Sequence, residues 1–263
     1  MSPEPNATIA PAAAESAAAG NPAAHTVWVR FSHWIITIAF VILGFTGFTI
    51  LRAHPRLYWG EAGNDLTPAL LELPISKNYK HGGWKNTTPF FARPDSPISA
   101  VRTFGIYNQN SWGRSLHFFA AWIFIATGLL YILAAALTRH IDRHLLPRNA
   151  DFSARVLWHE FIDHVRLKIR APTGGPQYGA IQKWSYFAVI FIGLPLVAIT
   201  GLAMSPAITA SFPFLLTIIG GFQSARTIHF FISLLLALFV FIHVVMIFKS
   251  GLKAQMRAMT IGN

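Results

Sequence analysis

The chain contains no cysteine. Disulfides, thiolate-held iron–sulfur clusters, Cys-ligated zinc and covalent haem attachment through a C-x-x-C-H motif are thereby excluded, so any metal chemistry must use His, carboxylate or Met. Charge is also scarce: 12% of the 263 residues are charged, against about a quarter in soluble domains. That deficit, beside 53% hydrophobic residues, points to lipid as the solvent. Acidic residues are the rarest class, 10 against 21 Lys and Arg, giving a net charge of +11. The basic residues flank apolar runs and do not form a soluble face. Anionic lipid headgroups are therefore the expected counter-charge, and no nucleic acid partner is expected. What the chain does have is aromatic bulk, 22 Phe and 8 Trp, suited to packing against both lipid and flat cofactors.

Residues 1–26, rich in Ala, Pro and Ser, bury no core and are expected to be a disordered tail. They lack the basic start and continuous apolar stretch of a signal peptide. Four later stretches reach the roughly 20 apolar residues that a membrane-spanning helix needs. They lie at about 29–51, 115–138, 184–205 and 226–248 within one membrane domain, 27–258. The expected fold is all-α: an integral membrane four-helix bundle with a long loop at 52–114 and an amphipathic helix within 153–170. Residues 207–225 are uncharged and interrupted by Pro213, Gly220 and Gly221, which suggests an interfacial or re-entrant segment. An even number of spans puts both termini on one side. Lys249, Lys253 and Arg257, with Arg139, Arg143 and Arg148, make that side cytoplasmic by the positive-inside rule and the 52–114 loop periplasmic.

Ionisable residues inside spans are costly and mark function by default. His33, His117, His229 and His243 qualify. His229 and His243 are fourteen residues apart, near four full turns, so they share a helix face at roughly 21 Å separation. His33 opens span one and His117 opens span two, so they lie at opposite membrane surfaces. Span four runs parallel to span two, which sets His229 level with His117 and His243 level with His33. Each level then holds two histidines from different helices, the arrangement for two stacked, bis-His-ligated b-type haems. Arg30, Arg114 and Arg226 each stand three residues before one of these histidines, neighbours on a helix and suited to pair with haem propionates. Gly44, Gly47, Gly128 and Gly201 offer flat surfaces for a porphyrin, although close helix packing alone also uses such residues. Zinc is disfavoured, since two histidines per level without Cys or carboxylate make an incomplete set.

The other histidines carry less. His140 and His144 share a face with Arg139 and Arg143, whose charges repel a cation. His159 and His164 point apart on a helix, which reads better as an amphipathic segment meeting headgroups through Arg166, Lys168 and Arg170.

With these residues placed, the sequence resembles the cytochrome b subunits shared by formate dehydrogenase (gamma subunit), thiosulfate reductase and nickel–iron hydrogenase, over roughly residues 25–255. The resemblance is nearest to the thiosulfate-reductase-like branch. It is carried by Arg30-Phe-Ser-His33-Trp34, His54-Pro-Arg-Leu-Tyr-Trp-Gly60, the histidine opening span two, and Gln223-Ser-Ala-Arg226-Thr-Ile-His229 with His243. It implies two haem b groups, one held by His33 with His243 and one by His117 with His229. It further implies electron exchange between a quinone (menaquinone or ubiquinone) and a periplasmic oxidoreductase, commonly a molybdenum enzyme, with or without an iron–sulfur subunit. The setting would be the bacterial inner membrane. The implied quinone pocket includes Tyr178, Gln182 and Lys183, with Gly179 where the family carries asparagine. Catalysis by amino-acid side chains is not expected. Alternatives are a stand-alone cytochrome b561-type quinol oxidase with a small diffusible partner, or a non-redox membrane anchor or transporter.

Overall fold

The computed structural model describes residues 26–64, 66–76, 79–81, 110–141, 146, 149–166 and 179–262. The expected N-terminal tail up to residue 25, most of the 52–114 loop beyond residue 81, and the basic residues Lys168 and Arg170 lie outside them.

Among the described residues, four helical runs are long and apolar enough to cross a membrane: Val27–Ala53, Trp112–Leu137, Ala180–Ala203 and Phe222–Thr260. We call Val27–Ala53 α1 and Asn110–Leu137 α2. Between them Arg56–Leu57 (β1) and Leu71–Glu72 (β2) form a short antiparallel hairpin, Arg56 opposite Glu72 and Leu57 opposite Leu71. A 3-10 turn (Asn149–Phe152) and α3 (Ala154–Val165) precede the third span. That span is a composite of α4 (Ala180–Phe187), a π-helical stretch (Ala188–Gly193) and α5 (Leu194–Ala203). Pro195 accounts for the irregularity: lacking an N–H, it leaves the preceding turn without an α-type partner, and Leu194 N–H reaches back five residues to the Val189 carbonyl. The uncharged segment that follows holds two short helices, α6 (Pro206–Ser211) and α7 (Phe214–Ile219), separated by Pro213. The last helix, α8 (Phe222–Thr260), contains a break at Gly251 (φ 104°, ψ 83°).

Packing is that of a protein in lipid. Large apolar side chains such as Phe31, Leu130 and Phe241 are exposed, whereas most buried positions in the spans belong to small or hydroxylated residues such as Ala39, Thr46, Thr49, Ala120, Thr200, Ala203 and Thr227, with Phe124 and Leu236 among the exceptions. Without a hydrophobic drive between helices in lipid, close backbone approach and hydrogen bonds do the associating. α1 packs along α2, α5 along α8, and α1 also touches α8. At the end carrying both described chain ends, the stretch after Gly251 returns to the start of α1. There Arg30 Nη1 donates to the Thr260 carbonyl (3.0 Å) and Trp34 Nε1 to the Met259 carbonyl (3.1 Å).

Candidate functional site

The α1/α2 pair and the α5/α8 pair enclose a cavity of about 830 Å³ near the hairpin end, lined by all four and by residues of the hairpin. Its size is that of a cofactor site. His117 of α2 and His229 of α8 both line it, with ring centroids 6.4 Å apart and planes crossed at 65°.

The tautomer of each ring follows from its partners. His229 Nδ1 lies 3.0 Å from the Val197 carbonyl and 3.1 Å from Thr200 Oγ1. A carbonyl only accepts, so Nδ1 carries the hydrogen. His117 Nδ1 lies 2.9 Å from Thr46 Oγ1, whose own hydrogen goes to the Ile42 carbonyl at 2.7 Å. The hydroxyl oxygen therefore accepts from Nδ1–H. In both rings Nε2 is left as the lone-pair nitrogen, the state that binds a metal.

The donor set fits a haem. Two imidazoles on opposite sides of one metal, each at about 2 Å with roughly 1.1 Å more to the ring centre, have centroids roughly 6 Å apart. Among the described residues no group of three or more His, Cys, Asp or Glu could hold a bare ion. A two-imidazole centre then needs a macrocycle for its remaining ligands. The cavity walls are apolar (Phe40, Leu43, Phe124, Leu202, Phe230), while its hairpin end holds Arg114, Arg226 and Gln223. The Gln223 side-chain oxygen is buried without a hydrogen-bond partner among the described residues. Polar and cationic groups at one end of an apolar slot suit a flat ligand with carboxylates on one edge.

The glycines expected to face a porphyrin divide into three groups. Gly44 lines the cavity, and a Cβ there would meet nothing within 4 Å. Gly47 and Gly201 lie against the histidine rings: a Cβ would stand 3.5 Å from His117 Cε1 and 3.3 Å from His229 Cε1 respectively. Gly128 is not part of the lining.

His33 and His243 lie outside the lining of this cavity. His33 stands edge-on to Trp34, and His243 is stacked on Phe239 at 5.9 Å. Of the three arginines, Arg114 and Arg226 face the cavity. Arg226 also donates to the carbonyls of Arg56 (3.2 Å) and His54. Arg30 holds the chain's C-terminal turn, its Nε buried without a partner among the described residues.

The two most distinctive sequence segments prove to be one unit. The 54–60 stretch is latched to the start of α8: Gln223 N–H donates to the Gly60 carbonyl (2.9 Å), Gly60 N–H to Ser224 Oγ (2.8 Å) and Thr227 Oγ1 to the Tyr58 carbonyl (2.6 Å). Gly60 (φ +93°) and Gly221 (φ +105°) adopt backbone conformations that favour glycine. Beyond the latch, Glu72 accepts from His81 N–H (3.0 Å) and from its ring Nδ1 (2.6 Å). These bonds, the backbone one foremost, hold the Glu72 carboxyl below its ordinary range.

At the opposite end, Tyr178 lies outside the described residues. Gln182 Oε1 accepts from Gly179 N–H (3.3 Å), and Lys183 is paired with Asp151 at 2.9 Å, both side chains nearly buried. Glu160, which beside His159 looks metal-like in the sequence, has a different role. Its carboxylate caps α4 by accepting from Ala180 N–H (3.1 Å) and Ile181 N–H (2.8 Å). A Cβ on Gly179 would come within 2.9 Å of Glu160 Oε2. The glycine standing where asparagine was expected thus makes room for a carboxylate cap supplied by α3.

Residues 24–262 match the prokaryotic cytochrome b561 family. Among curated proteins the chain is similar to a putative protein-methionine-sulfoxide reductase subunit, YedZ1, of Azospira oryzae. The two are 24% identical over 225 residues, covering 86% of this chain and 90% of the relative. No solved structure matches. Four apolar spans and a family match over nearly the whole length make this a multi-pass membrane haem protein of the b type, a member of the prokaryotic cytochrome b561 family.

Proposed function

We propose that the protein carries electrons through two haem b groups between a membrane quinone and a separate oxidoreductase docked at its hairpin end. The single observation that carries this reading is the facing pair His117 and His229, each with Nδ1 hydrogen-bonded and Nε2 left for a metal. A bis-imidazole haem supplies one-electron transfer with no open iron position, which suits electron carriage over substrate binding. The residues of the chain do the rest. His117 and His229 hold one haem, and His33 and His243 the second. Arg114 and Arg226 neutralise propionates at the hairpin end, with Arg30 the corresponding cation at the other.

Quinone is exchanged at the end bearing the chain termini, in a pocket of Tyr178, Gln182 and Lys183. Gln182 and Lys183 are held at that end by Gly179 N–H and Asp151. By the positive-inside rule that end faces the cytoplasm of a bacterial inner membrane, and the hairpin faces the periplasm. The exposed Trp59, beside the latch to α8, belongs to the docking surface. The sequence resemblance favours a periplasmic molybdenum oxidoreductase as partner, with or without an iron–sulfur subunit. The relative's description as a reductase subunit favours a partner acting on methionine sulfoxide in proteins.

Spectra of the purified protein, oxidised and then reduced by quinol, test the reading. It expects b-type bands that appear on adding menaquinol or ubiquinol. A protein without b-type absorption would be an anchor or transporter instead; bands that quinol fails to develop would remove the quinone step.

A further inference from the structure

Two buried threonines and the glycines that follow them form a repeated device. On α1, Thr46 Oγ1 donates to the Ile42 carbonyl, four residues back (2.7 Å), and receives His117 Nδ1 (2.9 Å). The Leu43 carbonyl, three residues back, stands near the same ring. On α5, Thr200 Oγ1 donates to the Leu196 carbonyl, four residues back (2.7 Å), and receives His229 Nδ1 (3.1 Å). The Val197 carbonyl, three residues back, is again on the ring (3.0 Å). Both threonines are fully buried. Gly47 and Gly201 then let each ring lie against the helix backbone, where a Cβ would stand 3.5 and 3.3 Å from Cε1. Each device sits on the helix neighbouring the one that carries its histidine. A third Thr-Gly pair, Thr127-Gly128 on α2, is not in the cavity lining, and a Cβ on Gly128 would meet nothing within 4 Å. The dipeptide by itself is therefore not enough; the contact with a ring is what distinguishes the first two.

We propose that Thr46-Gly47 and Thr200-Gly201 are positioning residues for the imidazoles of His117 and His229, fixing their crossed planes and the potential of the haem they hold, with the Val197 carbonyl setting the His229 tautomer. This rests on the haem reading given above. The physical cause is direct. An acceptor on Nδ1–H makes the imidazole a stronger donor at Nε2, and a stronger donor stabilises ferric over ferrous iron, lowering the potential. The hydroxyl also restricts ring rotation, because its own hydrogen is committed to the helix backbone and its oxygen is left to accept from the ring. The 65° crossing of the two planes is the result.

The test replaces Thr46 and Thr200, one at a time, by Val, which keeps the shape and removes the hydroxyl, and by Ser, which restores it. The readouts are the redox midpoint of each haem and the low-spin ferric EPR signal, which reports the angle between axial planes. Expected is an upward shift of about tenfold in the ferric-to-ferrous balance in Thr46→Val, about 59 mV for a one-electron couple, and a smaller one in Thr200→Val, where the Val197 carbonyl stays on Nδ1. The crossed-plane EPR signal should move with it, while Ser substitutions and Thr127→Val leave both readouts at wild-type values. Loss of that haem in Val but not Ser supports the proposal equally. Val variants that keep wild-type potential and EPR, or Ser variants that behave like Val, overturn it. A wild-type protein without b-type absorption would instead overturn the haem reading, so the two failures are distinguishable.

Discussion

Gly221→Ala attacks the joint between the hairpin segment and α8, and the structure sets its cost in two parts. The backbone at Gly221 (φ +105°, ψ 168°) lies in a region that L-residues rarely enter, a strain of about 1–3 kcal/mol. The new Cβ would also stand 2.5 Å from both the carbonyl carbon and oxygen of Gly60, and 2.8 Å from Glu61 N. Backbone cannot yield as a side-chain tip does, so the latch must open. The bonds from Gln223 N–H to the Gly60 carbonyl and from Gly60 N–H to Ser224 Oγ go with it, each about 0.5–1.5 kcal/mol. The sum is about 2–6 kcal/mol. Gly60→Ala is the internal comparison: its φ of +93° is equally unsuited to alanine, but a Cβ there meets nothing within 4 Å, so it incurs strain alone. Because the latch brings the His54 and Arg56 carbonyls to Arg226, opening it also frees the guanidinium at the cavity mouth. Heating the purified protein in detergent while following b-type absorption measures the effect. Haem should be lost at the lowest temperature in Gly221→Ala, at an intermediate one in Gly60→Ala, and last in wild type. Equal stability of the two variants, or a wild-type Gly221→Ala, would refute the reasoning.

Gly44→Ala and Gly128→Ala both add a methyl where the chain itself leaves room, but only Gly44 faces the cavity. Gly44→Ala should lower haem occupancy, whereas Gly128→Ala should leave it unchanged and gain up to about 1 kcal/mol of helix stability, read from pigment content and thermal unfolding. At the other end, Glu160→Ala should remove the cap on α4, destabilising by about 1–2 kcal/mol, whereas Gly179→Asn displaces the Glu160 carboxylate but brings a capping side chain of its own, and should cost less. Together they should cost less than their sum, and additive thermal shifts would contradict the shared space.

How far the sequence reveals this structure depends on the scale of the signal. The spans are legible because some twenty apolar residues leave few alternatives in lipid. The last of them leaves helical geometry at Gly251 (φ 104°, ψ 83°), two residues past Lys249, and a separate helical stretch follows to Thr260. Pro195 in the third span was visible, but whether such a proline kinks a helix or is absorbed by a π turn depends on its neighbours. The segment after Ser205 becomes two short helices about Pro213. The β-hairpin at 56–72 was not foreseen, since strands of two residues carry no periodicity. The level shared by His117 and His229 follows from counting residues and reversing direction at each span. The hydroxyls that hold them do not: Thr46 and Thr200 read as ordinary polar residues in apolar helices, and only the repeat of Thr-Gly hinted otherwise. The role of Glu160 was hidden for the same reason, as its partner N–H groups lie twenty residues away on another helix.

The pairing of histidines is the core of the account, and counting haems in four single variants tests it most directly. Each of His33, His117, His229 and His243 is replaced by Ala, and haem per protein is measured by pyridine haemochrome with the reduced spectrum recorded alongside. The account predicts that His117→Ala and His229→Ala lose the same haem and give matching residual spectra, and that His33→Ala and His243→Ala lose the other. Residual spectra that match in any other pairing, or a His229→Ala protein that keeps its full haem complement, would contradict it.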